Sequence, residues 1–388
     1  MLRKMLSRAA LQLRAGRRIF LPAMPRPAIR NSLPPQANIL VVRTDRLGDV
    51  ILTLPVLSVL RDHLPHARLT MLLRHYTGDV AVGNPDVDDI LWYDDARGPV
   101  PFLRMLKTLR RARFDAVVVV RPQFRIALLM ACARIPLRVG TGYRSYSLLF
   151  THRVLEHRRF AEKHEAEYNV GLLKPLGVPL DAGPLRFPVR VEPWEREAAE
   201  ARLETLGLAK DRRRVILHPG SGGSAREWPG KHFAELGRRL QIQGDLQVLV
   251  TGTAGERARV EEVVRGAGPP AVDLAGAWTV REPAAVISGA ALFVSNSTGP
   301  LHLAAALGVP VLAFYPSIAP MSARRWGPYT PRAEVLEAPY VPGCPACSGG
   351  DPQECHCMES ISVDRAFEAA QRLLERREHP MERPVTHV

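Results

Sequence analysis

A carboxylate stands at Asp49, in the run ILVVRTDRLGDV of residues 39–50. The pattern is a short apolar strand, a glycine turn, and an acid at the start of a helix. In open α/β sheets that position faces the crevice beyond the strand's C-terminal end, where ligands bind. A carboxylate held there can take a proton from an attacking hydroxyl. It can also simply cap its helix, and Arg43, Asp45 and Arg46 beside it read equally well as a solvated, salt-bridged turn. Two further strand-loop-helix runs follow: VILHPGSGG at 215–223 and LFVSNSTGPLH at 292–302. In the first, the small residues Ser221 and Gly222 let backbone N–H groups approach an anion. Arg226 and Lys231 then supply positive charge. In the second, Ser297 or Thr298 can cap the helix, Gly299 permits close approach, and Pro300 suits the first turn. The free amides and positive dipole end there favour a diphosphate, with His302 in the first turn aimed the same way. The alternative for this run is a well-capped core helix. A base in one half and an anion cradle in the other suggest group transfer across a cleft.

Two parallel sheets must position these residues. Strand-like runs fall at 39–43, 69–73, 90–93, 116–120 and 138–140, then at 215–218, 247–251, 272–274, 292–295 and 309–314. Helical runs lie between them, including 50–63, 101–112, 231–241, 256–265, 281–289, 300–307 and 364–377. Such alternation predicts parallel sheets with helices on both faces, and its repetition predicts two Rossmann-like domains. The expected units are a basic arm and Pro-rich linker at 1–36, a domain at 37–187, and a second at 194–388, joined through FPVRVEP at 187–193. No G-x-G-x-x-G follows the first strand, which argues against a dinucleotide oxidoreductase, and no Walker loop is present.

The net charge of +14 favours a polyanionic partner. Residues 1–30 hold eight Lys or Arg and no acid. Wound as a helix they place Leu2, Met5, Leu6, Ala9 and Leu13 on one side and most arginines on the other. That suits an anionic membrane surface; a frayed basic tail or a transit peptide has a similar composition. No apolar run approaches the roughly 18 residues of a spanning helix. Cys344, Cys347, Cys355 and Cys357 cluster as C-x2-C-x7-C-x-C. Four thiolates there can hold a structural metal, stay as loose thiols, or pair under oxidation. Asp86, Asp88, Asp94 and Asp95 flank a strand and read as solvated strand ends, with no metal assigned.

Three ordered motifs carry a family resemblance. RTDRLGDVILTLPVL (43–57) resembles the N-terminal signature of glycosyltransferase family 9, the lipopolysaccharide heptosyltransferase family. HPGSGGSAREWPGKHFAEL (218–236) is similar to its second signature, and the run from Leu274 through SNSTGPLH to Val311 to its third. CMESI (357–361) resembles its C-terminal region, and the basic arm lies outside the match. The resemblance implies a GT-B fold, two Rossmann-like domains facing a cleft. It implies metal-independent, inverting transfer from a nucleotide sugar, ADP-heptose in the best-known members. The acceptor would be a lipid-linked glycan such as lipopolysaccharide core. No cofactor or nucleic acid is implied, and the site would be the cytoplasmic face of the bacterial inner membrane. Residue by residue, it implies Asp49 as general base. Ser221 and Arg226 would contact the diphosphate, with Lys231 as a helper. Thr298, Gly299 and His302 would form the donor-binding helix start, and Glu256 would grip ribose or base. Ser297 departs from the pattern, since many members carry Asp there to contact donor sugar hydroxyls. Asn296 beside it is the side chain able to replace that contact in part. The alternatives are a nucleotide-sugar epimerase on the same fold and a non-catalytic membrane-surface protein.

Overall fold

The computed structural model describes residues 33–180, 183–209, 212–243, 245–276, 281–339 and 357–376. The basic arm at 1–30 and Cys344, Cys347 and Cys355 lie outside the described residues.

The first sheet is built from β1 (Asn38–Val42), β2 (Arg68–Leu73), β3 (Asp89–Trp92), β4 (Ala116–Val119), β5 (Leu137–Thr141) and β6 (His152–Val154). Its order is β3-β2-β1-β4-β5-β6, with every pairing parallel. The second is built from β7 (Arg213–His218), β8 (Leu246–Val250), β9 (Val272–Asp273), β10 (Leu292–Asn296), β11 (Val311–Tyr315) and β12 (Ala333–Glu337). It repeats the same order, β9-β8-β7-β10-β11-β12, again all parallel. Both are doubly wound, and in each the order reverses beside the first strand. The loops after β1, β7 and β10 therefore leave at the switch points, where such sheets hold ligands. The central strands are continuous apolar runs because both faces are covered; β4 (AVVV) and β10 are buried at every residue.

The helices include α1 (Leu47–Ile51), α2 (Leu54–His63), α3 (Phe102–Ala112), α4 (Phe124–Cys132), α5 (Glu165–Gly171) and α6 (Pro193–Thr205). In the second half they include α7 (Gly230–Ile242), α8 (Arg257–Ala267), α9 (Arg281–Ser288), α10 (Gly299–Ala306), α11 (Ala323–Trp326) and α12 (Val363–Glu375). The single helix expected over 50–63 is two. Pro55 has no N–H to donate, and the chain crosses the break with tighter bonds, Thr53 N–H to the Val50 carbonyl and Val56 N–H to that of Thr53. The expected connector at 187–193 runs straight into α6, where Pro193 is the first helical residue and Glu195 accepts the Glu192 N–H.

One apolar cluster runs through both halves. Ile51, Leu54 and Leu57 of the first half and Leu301, Leu303 and Ala304 of α10 belong to the same buried set. Helix α12 closes the outer face of the second sheet with Ala366, Ala369, Ala370, Leu373 and Leu374. Cys357, the described member of the cysteine cluster, is buried in that layer. Trp228 lies there too, its indole N–H bonded to the Ile361 carbonyl at 2.9 Å.

Candidate active site

A cavity of about 700 Å³ lies between the two sheets. Its walls include Gly48 and Asp49 of α1, the loops after β4 and β5, and Glu165 of α5. Ser224 and Ala225 come from the loop after β7. The start of α10, and the segment from Pro316 to Trp326, complete it. Six arginines (43, 46, 121, 144, 158 and 325) and three carboxylates (Asp45, Asp49 and Glu165) are among the lining residues. The excess of fixed cations suits an anionic guest.

Asp49 is the third residue of the short helix α1. Its Oδ1 accepts from Nη2 of Arg43. Arg43 is buried, and its Nε donates to Oδ1 of Asp45 at 2.6 Å. Arg121 stands 3.5 Å from the other Asp45 oxygen. The run Arg43–Asp45 is therefore a buried ion-pair system and not the solvated turn that its composition allows; only Arg46 of the set is exposed. Burial pushes the Asp49 carboxyl above the ordinary range. Arg43 pulls it back, while Asp45 and Glu165 push it up again. A base raised in this way holds a proton more strongly than a free aspartate.

A second charged cluster backs the first. Helix α5 is capped by His164, whose Nδ1 accepts the Ala166 N–H while Glu167 accepts the His164 N–H. The cap fixes Glu165, which accepts from Arg158 and from Arg325 Nη2 at 2.9 Å. Asn169 accepts from Arg158 at 2.9 Å and donates to the Leu52 carbonyl at 2.9 Å, beside the α1–α2 break. Burial alone would raise the Glu165 carboxyl, but Arg158, Arg325 and Arg43 together bring it below its ordinary value. Arg325 thus reaches from the second half to a carboxylate of the first. His164 makes a parallel contact with the Gly327 carbonyl at 2.9 Å.

The opposite wall is the start of α10. Thr298 is the N-cap, accepting the Leu301 N–H at 3.4 Å and sharing a 2.9 Å bond with Ser295. Gly48 and Gly299 bring the two helix starts together. A Cβ on Gly48 would lie 2.8 Å from Cδ2 of His302 and 3.2 Å from Cα of Gly299. His302 is buried, and its pKa is pushed down to about 3 by burial, with His164 adding to the effect. It is a neutral imidazole, able to hydrogen-bond a donor but not to balance its charge. Its Nδ1 has no hydrogen-bond partner among the described residues.

Of the residues expected in the site, Asp49, Ser297, Thr298, Gly299 and His302 share the cavity. Ser221, Gly222, Arg226, Lys231 and Glu256 are not in its lining. Ser221 is buried, its hydroxyl 2.6 Å from Oε1 of Glu227. Gly222 and Glu256 are bonded to each other, Gly222 N–H to Oε1 at 2.9 Å. The second Glu256 oxygen holds the Thr253 N–H and hydroxyl at 2.9 Å. Arg226 is half-buried and Lys231 exposed. It is Ser224 and Ala225 of this loop that reach the cavity. Asn296 is not available for a donor contact. Fully buried, it accepts the Trp228 N–H at 2.8 Å and donates to the Pro219 carbonyl at 2.8 Å, tying the loop to β10. Asp86, read as a solvated strand end, is buried and bonded by the Ser58 hydroxyl at 2.5 Å. Arg121, Arg144, Arg158, Glu165 and Arg325 had no sequence signal as site residues, although the H-E-A-E run at 164–167 is a helix start that could have drawn attention to Glu165.

Comparison with known proteins bears on the family and the fold. The family model for glycosyltransferase family 9 (heptosyltransferase) matches residues 102–349, a span that begins after the Asp49 motif. Lipopolysaccharide heptosyltransferase 3 of Escherichia coli K12 is 30% identical over 281 residues, covering 69% of this chain and 79% of its own. A family 9 glycosyl transferase from Veillonella parvula superposes with a TM-score of 0.76 at 23% identity, over 89% of this chain and 99% of that one. The E. coli ADP-heptose lps heptosyltransferase II gives 0.72 at 24%, over 88% and 99%. The doubly wound pair of sheets is the GT-B fold of these transferases.

Proposed function

The chain belongs to glycosyltransferase family 9, the heptosyltransferases, and from that premise we propose that it moves heptose from ADP-heptose to a lipopolysaccharide core or related lipid-linked glycan, with inversion. The observation that carries this reading is one cavity with Asp49 on one wall and the Thr298–Gly299 helix start on the other, lined by six arginines. The acceptor hydroxyl enters from the first half and gives its proton to the free oxygen of Asp49. The acceptor oxygen forms a bond to the anomeric carbon as the bond from that carbon to the diphosphate breaks on the opposite face. ADP leaves with the bonding electrons. Charge developing on the diphosphate is met by the N-terminal amides of α10 and by the arginines that line the cavity. These fixed charges give the leaving group its counterion, so the reaction proceeds without a metal. Ser297, in place of the family carboxylate, offers the donor sugar a single hydroxyl. The arm at 1–30 holds the enzyme on the anionic inner face of the bacterial inner membrane, where the acceptor resides.

Replacing Asp49 by Asn keeps the size of the side chain and removes the base. Transfer should be abolished while ADP affinity, measured by calorimetry, stays within about threefold, because uniform binding is untouched. Full turnover by Asp49→Asn would overturn the assignment.

A further inference from the structure

Helix α3 has two unlike sides. Met105 and Leu109 are buried against Val117 and Tyr93. The other side carries Arg104, Lys107, Arg110 and Arg111, with Arg113 just beyond its end, all exposed. There is no acid from Phe102 to Phe114. Asp115, the next one, faces inward and accepts the Asn38 N–H at 2.8 Å. Several surface arginines elsewhere form ion pairs, as in Arg61–Asp88, Arg239–Glu235 and Arg372–Glu334. None of these five cations forms an ion pair among the described residues. Amid them Leu103 is 76% exposed, and with Leu106 it lines a shallow depression whose remaining walls are Lys107, Arg110, Arg111 and Arg113. Arg110 also bonds the Cys132 carbonyl at 3.0 Å, which brings exposed Arg134 close to the patch.

We infer that this face of α3 is a docking surface for an anionic lipid bilayer, a second contact besides the basic arm. Unpaired cations with no carboxylate between them complement a sheet of anionic headgroups. A leucine three-quarters exposed in their midst has no role in a purely electrostatic contact. At a bilayer its side chain enters the headgroup and acyl boundary while the surrounding cations stay among the phosphates. A nucleic-acid backbone would use the cations and leave Leu103 in water. The inference rests on the membrane-surface part of the proposed function and is independent of donor and acceptor.

The test is flotation of the full-length chain with vesicles of phosphatidylcholine, with or without phosphatidylglycerol. To keep the arm from masking the patch, the background carries Arg14→Gln, Arg17→Gln and Arg18→Gln. Adding Arg104→Gln, Lys107→Gln and Arg111→Gln should lower partition onto the anionic vesicles by about tenfold or more. Leu103→Ser should lower it several-fold at a salt concentration that screens the cations, with the melting temperature unchanged. Transfer to a water-soluble acceptor fragment should be unaffected by either change, since neither touches the cavity; its loss, with vesicle partition unaltered, would count against the surface being a docking site. Equal partition of patch variants and their background would overturn the inference, as would loss of binding to duplex DNA with vesicle partition unaltered.

Discussion

Gly48→Ala isolates the contact between the two helix starts. Gly48 lies in α1 and does not have the left-handed backbone conformation that requires glycine. By local propensity alone alanine should therefore stabilise the helix by about 1 kcal/mol. The added Cβ, however, would stand 2.8 Å from Cδ2 of His302 and 3.2 Å from Cα of Gly299, and must open to at least 3.4 Å for ordinary contact. His302 is boxed in at 4% exposure, and Gly299 presents backbone, so neither yields easily. Helix α1 has to move off α10 by more than half an ångström at the tightest point, carrying Asp49 with it. Overpacking of this kind costs about 1–3 kcal/mol, so the net change in stability should be small, between about 0 and 2 kcal/mol. The effect on turnover should be larger, because a displacement of about 1 Å in a reacting group can cost on the order of 100-fold. The assay is ADP release from ADP-heptose with lipid-linked acceptor, beside a thermal melt and ADP titration of the same samples. Gly255→Ala is the control, since its Cβ would meet only Thr253 Oγ1 at 3.9 Å. Turnover by Gly48→Ala within about twofold of the parent would refute the claim that the glycine contact sets the position of the base.

Arg43→Gln removes the cation that pulls the Asp49 carboxyl down and leaves the burial that raises it. Because Asp49 must be ionised to accept a proton, the acid limb of the pH–rate profile should move to higher pH; an unmoved limb would show that Arg43 does not tune it. Glu165→Gln leaves Arg158 and Arg325 without their buried counterion, and should cost about 3–5 kcal/mol in urea unfolding at neutral pH. The Glu165 carboxyl lies below its ordinary value when folded. Its contribution is therefore complete above about pH 4.3 and is lost as pH falls through the folded value, so the gap to the variant should shrink in acid. A gap independent of pH would contradict this. Asn296→Ala strands the buried Trp228 N–H and Pro219 carbonyl, with an expected loss of about 2 kcal/mol, read from the melting temperature.

The central strands were plain in the sequence because apolar runs covered on both faces have no other reading. Their observed ends lie within two residues of those expected. The last strand of each sheet was not: β6 (HRV) and β12 (AEVLE) are half-exposed and carry too few apolar residues to stand out. At the site, Asp49 and the Thr298 cap were legible because a helix start after a strand has a local signature. The buried system of Arg43, Asp45, Arg158 and Glu165 was not, since charges in a turn look solvated until a distant segment covers them. The loops of Ser221, after β7, and Glu256, after β8, show the reverse. Their residue types suit an anion, but Ser221 is held by Glu227 and Glu256 by the Gly222 and Thr253 N–H groups, and the cavity is reached by Ser224 and Ala225.

The unbroken apolar layer from Ile51 and Leu54 to Leu301 and Ala304 makes the halves dependent on each other. Cutting the chain near residue 190 would uncover greasy surface on both fragments, so neither should survive as an isolated product. Any opening of the cleft must then pivot about this layer, and the Glu165–Arg325 pair, which also joins the halves, has to part or travel with it.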